Sequence, residues 1–334
     1  MRFGIMLNHE YPKTDDVGAR IDQLITFTHA ARDAGYHSLF GLQHYLSSLA
    51  TVQVLPLLAR LIPESGTMRL GTGVYLATFE HPVQLAENFA SLDRLSAGRL
   101  ILGLGAGYRK PEFKAFGIDR MSRWERLAET VELLDELWLG APVTHRGRFY
   151  SVDEEAVSIL PEQRPRPPIW IGANGEQTIR RAARIGDAWL APPNVKMRWA
   201  QGHLEFFRDE LERTGKSFNG GREFPIIREM YIGDTDSSAI AEAEPYIRRE
   251  YAEYSNPAYG VDVRLWRTMF DEFLQKSFLF GSADTIAERL REFEGAGFNH
   301  FIFRTSWSGM PFELALRNIE RFAAEVMPRF EDQT

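Results

Sequence analysis

The sequence predicts a (β/α)8 barrel, a TIM barrel carrying insertions, on three observations. Short apolar runs alternate with longer amphipathic stretches almost from end to end, and eight such runs read as strands. The 334 residues exceed the roughly 250 that a barrel needs before elaboration. Nothing reads as a linker, a low-complexity tract or a repeat other than the βα period itself.

The elements follow in order. A first strand is expected over 2–7, then a helix over 16–34, opened by Asp15-Asp16 and stopped at Gly35. The carboxylates accept from orphan N–H groups of the first turn, and glycine tolerates the left-handed stop. Strand 37–42, helix 51–62, strand 68–75, helix 83–95, strand 99–104 and helix 123–139 continue the alternation. Residues 141–166 break it: Pro142, Gly147, Phe149-Tyr150-Ser151-Val152 and Pro161 predict a strand or hairpin insertion with a loop. The rhythm resumes with strand 167–172, helix 175–185, strand 186–191, helix 197–214, strand 224–233 and helix 237–253. A second excursion over 254–281, beginning near Asn256-Pro257, reads as a lid or substrate-side insertion. Ser282-Ala283-Asp284 opens helix 284–296, and strand 299–304 with helix 311–326 closes the series. One barrel domain over 1–334, with insertions near 141–166 and 254–281, is the expectation.

Charge and composition exclude several function classes. Thirty-nine Lys and Arg against 46 Asp and Glu give a net charge of −7, with no basic stripe to bind nucleic acid. The absence of cysteine removes disulfides, thiolate metal sites, Fe–S clusters and a cysteine nucleophile. The apolar start turns polar at Asn8, too early for a secretory signal, and no run approaches 18 apolar residues. No membrane association and a cytoplasmic location are expected.

Chemistry in such barrels sits at the C-terminal ends of the strands. Gly103-Leu104-Gly105-Ala106-Gly107 follows the fourth strand, either letting backbone approach a flat or phosphorylated ligand or forming a tight rim. Its GxGxG spacing, the helix interruption expected at Pro111 and the missing acidic second strand exclude a dinucleotide fingerprint. Trp170 through Thr178 runs from strand through Gly172-Ala173-Asn174-Gly175 into a helix. The first N–H groups there suit a phosphate, with the Thr178 hydroxyl as an added donor; capping by Asn174 is the alternative. His44, just past the second strand, suits a general base or hydrogen-bond donor, or is an ordinary rim histidine. His9 and His81 raise a metal site only weakly, for want of paired histidines and carboxylates. Tyr75, Tyr108 and Trp307 fall at strand ends, where they suit an apolar pocket.

Together these stretches resemble the bacterial luciferase-like flavin-dependent oxidoreductases over nearly the whole chain. The carriers are Gln43-His44-Tyr45, Arg69 to Val74, His81-Pro82-Val83 and Leu92-Asp93-Arg94-Leu95-Ser96-Ala97-Gly98-Arg99. Ala86-Glu87, Gly103 to Tyr108, Glu112-Phe113, Phe116-Gly117, Arg166 to Gly172, Ala182 to Asp187 and Gly281 with the helix after it complete the set. The resemblance implies a barrel that binds FMN, or the related deazaflavin F420, at its C-terminal mouth. It implies a non-prolyl cis peptide bond at Gly73–Val74 against the flavin ring. It further implies cofactor contacts from Ala106, Gly107 and Tyr108, a phosphate end around Gly172, Ala173, Asn174, Gly175 and Thr178, and a catalytic role for His44. Ala106 stands where luciferase has an arginine, and Tyr45 where it has a second histidine, which argues against light emission. The expected activity is a two-component monooxygenase. It would take reduced FMN from a separate flavin reductase and use O2 to oxygenate a small organic substrate, as a homodimer. Hydride transfer with F420 is the alternative, favoured if Arg109-Lys110 or Arg180-Arg181 lined the cofactor exit. A non-catalytic flavin-binding protein is a third reading.

Overall fold

The computed structural model describes residues 1–216, 222–259 and 263–331. Eight parallel strands form the barrel: β1 (Arg2–Met6), β2 (Ser38–Gly41), β3 (Arg69–Thr72) and β4 (Leu100–Leu104), then β5 (Ile169–Gly172), β6 (Ala188–Leu190), β7 (Pro225–Ile232) and β8 (His300–Arg304). Each pairs with its sequence neighbour from β1 to β6, β7 pairs β8, and β8 returns to β1. The gap between β6 and β7 closes through a parallel bridge at Ala191 and Ile226, with Ile227 N donating to Ala191 O at 2.9 Å.

These strands are apolar on both faces because both are covered. On one face Met6, Phe40, Ile101, Trp170, Leu190, Ile227 and Ile302 fill the barrel interior. Alternate residues such as Ile5, Leu39, Leu102, Ile171 and Phe303 pack outward against the helices. Phe40 and Trp170 stack at 5.5 Å, and His300 meets both rings edge-on, so the N-terminal end is plugged. The open end is therefore the C-terminal one.

All eight expected strands are present, with trimmed ends. β3 stops at Thr72, and the Gly73–Val74 peptide bond that follows is cis. The helix expected from 51 begins at Val54, since Ala50–Thr51 pair antiparallel with Glu10–Tyr11. Asp16 and Ser282 cap their helices as expected, accepting from Gly18 and Ala19 N–H and from Thr285 N–H. The first excursion holds a hairpin, Val143–Arg146 against Ser151–Glu155. Its turn is pinned by Glu129, which accepts from the N–H groups of Arg148, Phe149 and Tyr150.

One expectation needs correction. Pro111 does not interrupt a helix; it lies in the first turn of Lys110–Phe116, where a missing N–H costs nothing. The second excursion carries secondary structure of its own. It contains a helix at Val263–Lys276 and a strand at Leu279–Gly281, which adds to β7 at Met230–Ile232. Residues 260–262 of that excursion lie outside the described residues.

Candidate functional site

A cavity of about 580 Å³ opens at the C-terminal mouth, lined from the loops after nearly every strand. Gln43 and His44 follow β2, Gly73 and Val74 follow β3, and Ala106, Gly107 and Tyr108 follow β4. Gly172 ends β5, and Ala173, Asn174 and Thr178 follow it. Nine of the expected site residues, with His44, thus share one wall system. Gly175 is the exception: it does not line the cavity but turns the chain, at φ +87°, into the helix Glu176–Ile185.

The glycine motif is explained first by packing. A Cβ on Gly103 would lie 1.8 Å from the Thr72 carbonyl oxygen, so β4 can approach β3 only without one. A Cβ on Gly105 or Gly172 would meet the Val74 methyls at 2.5 and 2.7 Å. Two glycines therefore form the bed on which Val74 sits, and Val74 forms part of the cavity floor with Met6, Leu190 and Ile227.

His44 is held from two sides. Its Nδ1 lies 3.4 Å from Glu112 Oε1, and its carbonyl accepts from Gln53 Nε2 at 3.1 Å. Glu112 is buried and also accepts the Tyr45 N–H at 2.9 Å, so one carboxylate fixes the ring and the backbone beside it. Gln43 ties this loop to the next by accepting from Leu76 N at 2.8 Å, while its own N–H donates to Val74 O. A histidine whose Nδ1 faces a buried carboxylate presents Nε2 to the cavity in a defined orientation.

At the phosphate end, the helix Glu176–Ile185 has no side-chain cap. Asn174 does not cap it, so the first N–H groups of that helix have no acceptor from the side chain expected to supply one. The Thr178 hydroxyl is not a free donor: it donates to Asn174 O at 2.7 Å, as a hydroxyl in a first turn readily does. Arg123 and Trp124, at the start of the helix Arg123–Leu137, complete the lining. Burial, then the neighbouring Arg120, hold the Arg123 guanidinium below its usual range, and Arg181 adds to this cationic corner. No local sequence signal singled out Arg123, because only barrel closure brings it here.

A buried ionic cluster forms the remaining wall. Glu229 on β7 and Arg304 on β8 are register partners, both line the cavity, and Arg304 Nη1 lies 3.7 Å from Glu229. Glu229 accepts from Trp307 Nε1 at 2.7 Å and Tyr251 Oη at 3.0 Å. Glu10 and Glu250 share the Tyr254 hydroxyl, at 2.7 and 2.9 Å. Three buried carboxylates face one guanidinium; burial raises Glu229 and takes Glu250 up to about 7. A legible signal existed: Arg228-Glu229 interrupts an otherwise apolar strand. Arg228 points the other way and pins the loop after β6 through the carbonyls of Pro192, Pro193 and Val195.

Several candidates fall away. Tyr75 packs on Phe89 and bonds Glu80, away from the cavity, and Trp307 stands behind Glu229 beside a separate cavity of about 50 Å³. Of the three proposed aromatics only Tyr108 lines the mouth. His9 uses both nitrogens on backbone, Nε2 accepting from Leu42 N and Nδ1 meeting Val52 O, so neither is free to bind a metal. Among the described residues no group of three or more His, Cys, Asp or Glu could hold a metal ion. No helix among them is long and apolar enough to cross a membrane.

Comparison with known proteins gives matches that span most or all of the chain. Residues 1–300 match the family model described as luciferase-like monooxygenase. The oxygenase component of the flavin-dependent trigonelline monooxygenase of Acinetobacter baylyi is 27% identical, covering 99% of this chain and 96% of that one. An F420-dependent glucose-6-phosphate dehydrogenase of Microbacterium testaceum is 25% identical over 92% and 93%. Among solved structures, the monooxygenase RslO1 from Streptomyces bottropensis superposes with a TM-score of 0.85 at 24% identity, covering 99% and 100%.

Proposed function

The chain belongs to the luciferase-like monooxygenase family, and from that premise we propose that it is the oxygenase of a two-component system. In this reading it takes reduced FMN from a separate reductase and uses O2 to oxygenate a small organic substrate, as a homodimer. The observation that carries the reading is the single cavity in which His44, Val74 on its glycine bed, Tyr108 and the uncapped helix after β5 converge.

The residues fit such a cofactor. Val74, with Gly105 and Gly172 beneath it, offers a flat apolar support for a planar ring, and Arg123 with the N-terminus of Glu176–Ile185 suits a phosphate. A bound reduced flavin supplies the electrons for oxygen activation. Within this chain, His44 holds or moves a proton at Nε2, and Glu112 keeps the ring turned toward the cavity. The floor from Met6, Leu190 and Ile227 is apolar and offers water no side-chain hydrogen bond.

FMN is favoured over F420 by what stands near the exit. Arg180 is engaged with Glu176, Asp209 and Glu210, and none of Arg109, Lys110, Arg180 or Arg181 lines the cavity. The test is an anaerobic titration of the purified protein with reduced FMN and with reduced F420, followed by air. Tight FMN binding with an oxygen-dependent absorbance transient supports the reading. Selective F420 binding without a transient overturns it in favour of hydride transfer.

A further inference from the structure

Two guanidinium groups line the cavity. Arg123 belongs to the corner beside the helix after β5. Arg304 ends β8, in register with Met6 of β1 and Glu229 of β7. It shares a strand face with Ile302, which fills the barrel interior, so its side chain joins the mouth from above that floor. Of its nitrogens, Nη2 donates to the Tyr254 hydroxyl. Nη1 stands 3.7 Å from Glu229, an ion pair too long for a hydrogen bond. Among the described residues Nε and Nη1 make no hydrogen bond, and neither is sealed in protein as the terminal nitrogens of Arg109 are. Their N–H groups therefore face the cavity.

The surroundings of Arg304 decide what those donors can take. The Tyr254 hydroxyl has one hydrogen, accepts from Arg304, and lies 2.7 Å from Glu10 and 2.9 Å from Glu250. That hydrogen can go to only one of the two carboxyls, so the other carries a proton of its own and one of the pair stays ionised. Both lie within 4 Å of the guanidinium, at 3.9 and 3.6 Å, so its charge is already cancelled. A carboxylate ligand would bring a further negative charge into a low-dielectric site with no cation left to meet it. Glu229 is buried and its two oxygens accept from Trp307 and Tyr251, so this wall offers a ligand N–H donors rather than acceptors. We propose that Arg304 selects the substrate, a small neutral molecule whose carbonyl oxygen accepts from Nε and Nη1 while its apolar body lies over Met6 and Ile227. The inference rests on the functional reading above in taking this cavity as the place where an organic substrate meets the cofactor. The Tyr254 ring that Arg304 holds lies 6.2 Å from the His44 ring, which puts the selecting group beside the proton-handling one.

The test uses three probes of one shape: acetophenone, benzoate, and 2-phenylpropene, in which a methylene group replaces the carbonyl oxygen. Each is titrated calorimetrically into the full chain without flavin. The wild-type protein should bind acetophenone about tenfold or more tighter than benzoate. Arg304→Lys keeps the positive charge that the carboxylates need but has neither Nε–H nor Nη1–H. It should weaken acetophenone about tenfold, the value of a hydrogen bond to a charged donor, and leave 2-phenylpropene within about twofold. FMN affinity should also stay within about twofold. Three results would overturn the proposal. One is benzoate bound as tightly as acetophenone by the wild type; another is an equal effect of Arg304→Lys on the ketone and the alkene. The third is a fall in FMN affinity matching the loss of acetophenone, which would assign Arg304 to a carbonyl of the cofactor. Because the probes are read without flavin, the selection stands or falls separately from cofactor identity, and the wild-type comparison remains if the lysine variant does not fold.

Discussion

Replacing Glu250 by glutamine should flatten part of the pH dependence of stability, and the structure sets how much. Glu250 is buried, accepts from the Tyr254 hydroxyl at 2.9 Å and the Ser308 N–H at 3.2 Å, and lies 3.6 Å from Arg304. Burial raises its carboxyl most, Arg304 pulls against that and Glu10 adds to it, leaving it at about 7 against an ordinary 4.5. With the folded value above the unfolded one, the folded protein keeps a proton that the unfolded chain has already lost. The stabilisation is complete below about pH 4.5, declines by about 1.4 kcal/mol per unit up to about pH 7, and is gone above that. Integrated from about pH 5 to about pH 8.5, the loss is about 2–3 kcal/mol. Glutamine keeps the shape and has no proton to lose. Urea unfolding of both proteins at the two pH values is the assay, and the wild type should lose about 2–3 kcal/mol more than the variant. Taking the difference cancels Glu223 and His300, which lie outside the Arg304 cluster and titrate alike in both. Equal losses would refute the assignment of a raised carboxyl at this position.

Three further outcomes are expected. His44→Ala should lower kcat by about 10²–10⁴-fold while FMN affinity stays within about twofold; parallel loss of both would remove the proton-handling role. Arg123→Ala should weaken FMN binding by about tenfold or more and leave riboflavin, which lacks the phosphate, unaffected; equal effects on the two ligands would show that Arg123 does not meet the phosphate. Gly103→Ala forces a Cβ to within 1.8 Å of the Thr72 carbonyl and should destabilise the fold by about 3 kcal/mol or more in chemical denaturation; a change below about 1 kcal/mol would mean that β3 and β4 can separate there without penalty.

The barrel and half of its mouth were legible because their signals are local. Apolar runs, the caps at Asp16 and Ser282 and the turn glycines are properties of adjacent residues, and each βα loop is located once its strand is. That placed His44, Gly73–Val74, Ala106 to Tyr108 and Gly172 to Asn174 at the mouth without coordinates. The same local reading erred where a local motif has a distant cause. The strand at Leu279–Gly281 exists because β7 offers it an edge, and Tyr75 and Trp307 turn away from the cavity to reach Glu80 and Glu229.

The sequence by itself determined the number and order of strands, the end of the barrel that carries chemistry and the residue types around His44. Only the tertiary structure decided which of those residues meet. Glu112 reaches His44 from 68 residues away, and Tyr254 bonds Glu10 across 244. Arg109 lays its guanidinium against the rings of Tyr254 and Tyr259, which come from beyond β7. The reason is physical: secondary structure is encoded by neighbours along the chain, whereas the burial, pairing and charge of a side chain depend on residues brought beside it when β6 meets β7 and the barrel closes.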